Sequence, residues 1–181
     1  PTRKDVHYGP HQRNALDFWQ ARSDKPMPLI VFIHGGGFVT GDKADIPPKS
    51  LRRALDAGVS VASISYRFLP QAPVQDILRD CARAIQYIRF HADEFRIDSN
   101  RIAAFGNSAG AGTSLWLAVH DDLADPNAGD PVLRQTSRIA AAGCFNGQAT
   151  YDLIRWEEIV YPIRKQWWQR ESEVRDFYHF D

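Results

Sequence analysis

The stretch Ile102-Ala103-Ala104-Phe105-Gly106-Asn107-Ser108-Ala109-Gly110 decides the reading of this chain. An apolar run of strand character, residues 102–105, meets a serine set between two glycines, and residues 109–120 then turn rich in Ala and Leu, as in a largely buried helix. A GxSxG pattern at a strand-to-helix junction holds its serine on a sharp, strained turn with the hydroxyl exposed, and the small Gly106 and Gly110 let the backbone turn tightly there. Ser108 is the candidate nucleophile. Because the next residue opens a helix, the Ala109 N–H and the helix N-terminus point at an oxygen that gains negative charge. The pattern alone occurs by chance in many proteins, so its weight comes from what surrounds it.

About seventy residues upstream, His34-Gly35-Gly36-Gly37-Phe38 follows the β-rich run of residues 29–33. Consecutive glycines let the backbone approach a substrate and turn its amides inward, which is the physical requirement of an oxyanion hole. A phosphate-binding loop is the rival reading, but no Lys-Ser/Thr follows and the spacing is not GxGxxG. Two glycine-bearing turns, each at a strand end, point together to acyl-transfer chemistry.

Outward from these motifs, residues 59–66 and 139–145 complete four apolar segments of strand type, and their lack of strict alternation predicts a covered, parallel sheet. Residues 14–20 and 5–8 read as an antiparallel edge hairpin. Helices are expected over 47–55, with proline in the first turn and a stop at Gly58, and over 76–90, where Ile77, Leu78, Cys81, Ile85 and Ile88 recur at helical spacing. Together with the helix after Ser108 they supply the crossovers a parallel sheet needs. Residues 121–131 form a turn-rich surface loop; its aspartates lack the residues that would complete an EF-hand. From Tyr151 onward aromatic and charged residues interleave, and Ile159, Ile163 and Trp167 fall on one helical stripe. The chain thus divides into a core over 1–150 and a helical, cap-like segment over 151–181.

Composition limits the alternatives. The 181 residues carry 22 basic and 22 acidic side chains with no sustained basic run, which argues against nucleic acid or an anionic membrane surface as partner. No apolar run approaches the roughly 18 residues of a membrane span. Cys81 and Cys144 have no framework spacing and read as buried thiols, so a reducing, cytoplasmic compartment is expected. The chain begins at Pro1 rather than Met, which leaves room for a removed leader.

These residues resemble the α/β-hydrolase superfamily and, within it, the hormone-sensitive-lipase-like carboxylesterases and lipases. The resemblance rests on IHGGGF and GNSAG, on Tyr66-Arg67 with Pro70 and Pro73, on the helix around Asp80-Cys81-Ala82-Arg83-Ala84, and on Asp98-Ser99-Asn100-Arg101-Ile102. It implies an α/β-hydrolase fold, a serine esterase acting on a small ester without metal or organic cofactor, and an oxyanion hole from the backbone N–H groups of Gly36, Gly37 and Ala109. By the same resemblance His34 shapes the loop and is not the base. Asn107 departs from the acidic residue common at its position.

In this fold the triad runs serine, acid, histidine in chain order. The resemblance places the acid and histidine on strands after a cap, so the 181 residues read as a C-terminally truncated hydrolase lacking terminal strands. Of the histidines after Ser108, His120 reads as a helix end, and His179 lies near Asp176 and Asp181 in the aromatic tail. A sheet cut short leaves residues 139–145 as an open edge, and pairing there, or burial of Trp156, Trp167 and Trp168, predicts a homodimer. The rival function is an inactive hydrolase fragment or a non-catalytic relative that binds a small carbonyl ligand; a peptidase of the same fold is a third.

Overall fold

Met27–Ile33 (β3) is the axis of the fold, and its sequence MPLIVFI is rich in the apolar and β-branched residues that suit a strand covered on both faces. The computed structural model describes residues 1–148. Arg3–His7 (β1), Ala15–Trp19 (β2), β3, Ser60–Ile64 (β4), Ile97–Asn107 (β5) and Ala141–Phe145 (β6) form one sheet in the order β1-β2-β4-β3-β5-β6. The pairs β4/β3, β3/β5 and β5/β6 are parallel, and β1/β2 and β2/β4 antiparallel. Three crossovers link the parallel strands: Pro48–Asp56 (α1), Val74–Phe90 (α2) with the short Ala92–Phe95 (α3), and Ala109–Val119 (α4).

Alternation along β3 sorts the helices between the two faces. Val31 and Ile33 join Ala62, Ile64, Ile102 and Ala104 in the main core beneath α2 and α4, which contribute Ile77, Ile85, Ile88 and Leu117. Each fully buried isoleucine of α2 contributes about 2 kcal/mol. Phe32 and Val61 face the other way, against Leu51, Ala54 and Leu55 of α1. A bidentate pair between Arg67 and Asp80, 2.8 Å at both contacts, fastens the segment after β4 to α2.

Two sequence expectations need correction. β5 begins at Ile97 rather than at residue 102: the polar run Asp98-Ser99-Asn100 hides a strand start whose pairing with β3 is irregular between Met27 and Leu29. Cys144 is exposed on β6 while Cys81 is buried, since β6 has no strand on its outer side among the described residues. The expected hairpin, parallel strands and helices are otherwise in place with shifted ends. No helix among the described residues is long and apolar enough to cross a membrane.

Candidate active site

The register of β3 on β5 creates the site. Ile33 pairs with Gly106, so the glycine loop that leaves β3 and the elbow that leaves β5 emerge side by side at one level of the sheet. Ser108 stands alone between β5 and α4 with φ 53° and ψ −120°, a conformation that costs an L-residue about 1–3 kcal/mol. Surrounding bonds hold it there: its N–H donates to the Phe145 carbonyl at the end of β6 (2.9 Å), and its carbonyl accepts from Ala111 and Gly112 (3.0 Å each).

The elbow lies directly on the end of β3. A Cβ on Gly106 would sit 2.5 Å from the Ile33 oxygen, and one on Gly110 2.5 Å from the His34 oxygen, so no side chain fits at either position. The same closeness brings the glycine loop to the nucleophile. A Cβ on Gly35 would fall 2.7 Å from the Asn107 oxygen and 3.4 Å from the Ser108 Cβ. Beyond it Gly36 and Gly37 take φ values of +104° and +61°, and the Gly36 carbonyl closes the turn by accepting from Val39 and Thr40. Phe38, buried and also at positive φ, pins the loop by accepting Leu69 N–H at its carbonyl (2.9 Å). The Ser108 side chain thus stands at the positive end of α4, beside a loop bent at successive positive φ values.

His34 is a wall of this loop. Its ring is 1% exposed and stacks on Tyr66 at 4.1 Å, and its Nδ1 lies 2.7 Å from the Gly35 carbonyl, which assigns the proton to that nitrogen. Tyr66 Oη in turn donates to the His34 carbonyl (2.7 Å). Burial holds the imidazole below its ordinary value of 6.5, the Gly35 carbonyl opposes this, Arg13 adds to it, and Asp45 and Asp42 oppose it. A folded pKa below the unfolded one means that the His34 contribution to stability is complete above about pH 6.5 and is lost as pH falls through the folded value. Urea melts of a His34→Gln variant are therefore expected to lose less stability than the parent between about pH 7 and about pH 5. Parallel losses in the two proteins would exclude this role.

The other histidines among the described residues lie elsewhere. His120 caps the far end of α4, about 18 Å of helix from Ser108, with Nδ1 against the Asp121 carbonyl. His91 pairs with Glu94 after α2, while His7 and His11 belong to the β1–β2 hairpin. His179, Asp176 and Asp181, the Ile159-Ile163-Trp167 stripe, Trp156 and Trp168 lie outside the described residues. No three His, Cys, Asp or Glu side chains group into a metal site among the described residues. Sequence reasoning missed Arg13, whose guanidinium reaches the carbonyls of Tyr66 and Gly41 (2.7 and 2.8 Å) behind the loop. No motif marks it.

Known proteins resemble this chain in sequence and in fold. A probable isoprenylcysteine alpha-carbonyl methylesterase of Arabidopsis thaliana, ICMEL2, is 32% identical over 155 residues, covering 84% of this chain and 36% of the relative. Esterase LipC of Mycobacterium tuberculosis is 31% identical over 164 residues, covering 90% and 39%. The chain spans about two fifths or less of the length of these curated relatives. Among solved structures, the thermophilic esterase Est2 of Thermogutta terrifontis in its propionate-bound form shares the fold with a TM-score of 0.70 at 24% identity, over 95% of this chain and 61% of that one. Thermogutta terrifontis esterase 2 phosphorylated by paraoxon matches with a TM-score of 0.66 at 25% identity, over 78% and 56%. The BD-FAE profile matches residues 16–170, from β2 through the elbow and past β6, and on that match the chain belongs to the BD-FAE family of α/β-hydrolase esterases.

Proposed function

We propose that this chain carries the nucleophile half of a serine carboxylesterase for short to medium acyl esters. The carrying observation is the strained Ser108 on its elbow with Gly35 against its Cβ, which sets a hydroxyl beside a glycine loop and a helix N-terminus. In this reading Ser108 Oγ attacks the ester carbonyl and gives its proton to a histidine that follows it in chain order, oriented by an acid. The backbone N–H groups of Gly36, Gly37 and Ala109 hold the oxyanion, the alcohol departs, and water releases the acid from the acyl-enzyme. Each oxyanion donor is worth about 3 kcal/mol of transition-state stabilisation. In this proposal residues 1–150 are the hydrolase core and 151–181 a cap-like segment. The esterase relatives support ester chemistry, and the paraoxon adduct of the Thermogutta esterase supports the choice of probe.

The test is mass spectrometry of the protein isolated from its own source, before and after a fluorophosphonate. A single adduct on the peptide containing Ser108 is the expected result. A folded protein that takes no adduct would overturn the esterase reading in favour of a non-catalytic relative. That second reading draws on the contacts of His34, His91 and His120 with groups other than the serine hydroxyl, and on the place of His7 and His11 in the β1–β2 hairpin.

A further inference from the structure

Arg13 lies in the β1–β2 turn, far from Ser108 in the chain, yet its guanidinium is built into the back of the glycine loop. Nε donates to the Tyr66 carbonyl (2.7 Å) and Nη2 to the Gly41 carbonyl (2.8 Å). Its central carbon lies 3.7 Å over the Phe68 ring, and Nη1 is 4.0 Å from Asp42 Oδ2. Tyr66 and Gly41 are the two walls of His34. The Tyr66 ring stacks on the imidazole and its hydroxyl bonds the His34 carbonyl. Gly41 packs so tightly against the ring's Nδ1–Cε1 edge that an added Cβ would strike His34 Nδ1 and come within 2.8 Å of the Gly35 oxygen.

One planar cation therefore ties Tyr66, just past the end of β4, to the loop exit at Gly41, and His34, which leads into Gly35-Gly36-Gly37, touches both. We propose that Arg13 is a positioning residue for the oxyanion loop, holding the Gly36 and Gly37 amides in register with Ser108; this rests on the esterase reading above. The rigid fork of arginine suits two carbonyls and an aromatic face at once, whereas a lysine ammonium offers a point charge on a flexible stem.

The loop has separate anchors for its fold, so losing Arg13 removes alignment rather than structure. Lys43 N–H donates to Ser65 Oγ (3.0 Å), Ser63 Oγ donates to the Lys43 carbonyl (2.6 Å), and Lys43 Nζ pairs with Asp5 (2.7 Å) and the buried Asp17 (3.4 Å). These bonds lie one turn beyond Gly41 and do not involve Arg13.

The test compares the full protein with its Arg13→Ala and Arg13→Lys variants on p-nitrophenyl acetate, with rates normalised to active sites titrated by the fluorophosphonate. In Arg13→Ala, kcat is expected to fall about 10- to 100-fold with KM nearly unchanged, the cost of a small misplacement of transition-state donors. Added guanidinium ion is expected to restore part of the Arg13→Ala rate, and Arg13→Lys to be only partly rescued. A normalised kcat equal to the parent's, or a loss wholly explained by fewer titratable sites, would overturn the positioning role. Failure of the parent itself to label or turn over would instead strike the esterase reading.

Discussion

Replacing Ser108 with alanine is expected to lower kcat on p-nitrophenyl acetate by about 10⁶, the loss seen when the nucleophile of a serine hydrolase is removed. The size follows from what stays behind. Alanine keeps the elbow backbone, the helix N-terminus and the glycine loop, so an ester still meets a preorganised pocket and retains about 10³- to 10⁴-fold over water. What disappears is the covalent route, because no other oxygen nucleophile stands on the turn. A Ser108→Gly variant separates chemistry from strain. It should be equally inactive yet more stable by about 1 kcal/mol, because glycine accepts a φ of 53° that an L-residue resists, less the extra chain entropy glycine brings to the unfolded state. Turnover in Ser108→Ala within tenfold of the parent would remove Ser108 from the mechanism.

The second large effect is structural. Gly110→Ala is expected to destabilise the fold by about 3 kcal/mol or more, since its methyl group would press into the Ile33 and His34 carbonyls, which are backbone atoms with no rotamer to yield. Gly37→Ala provides the contrast. Nothing lies within 4 Å of the Cβ it would add, so only the strain of its φ of +61° is felt, about 1 kcal/mol. Urea denaturation midpoints of the two variants would show the difference directly. Equal costs would mean that the contact between elbow and β3 is looser than described.

The sequence made legible what depends on neighbouring residues. GNSAG and HGGGF could be read because a strained serine and an inward-turned loop demand glycine at fixed local positions, and the structure has positive φ at Gly36, Gly37 and Ser108. The pairing of Ile33 with Gly106, which brings the motifs together, joins residues far apart in the chain and leaves no local trace. The early start of β5 was hidden for a different reason: Asp98, Ser99 and Asn100 carry turn-like side chains, and the pairing of Ile97 with Met27 starts the strand ahead of them. The expectation for Cys144 followed the general habit of thiols to be buried, which fails on β6, the outermost strand on its side among the described residues. Arg13 was the hardest to see, because its acceptors are main-chain carbonyls 28 and 53 residues away, and any residue can supply a carbonyl.

The level pairing of β3 with β5 also bears on quality control of the folded molecule. Slipping β5 by two residues against β3 would preserve the inward and outward pattern of its side chains, so a misaligned sheet could still bury its apolar residues. Such a slip would carry Ser108 about 7 Å from the glycine loop, beyond the reach of any hydrogen bond between the loop amides and an ester held by the serine. Under the proposed chemistry, misaligned molecules would be compact but silent. The fraction of a preparation that reacts with the fluorophosphonate would then measure the fidelity of strand alignment, a property that circular dichroism and thermal melting average away.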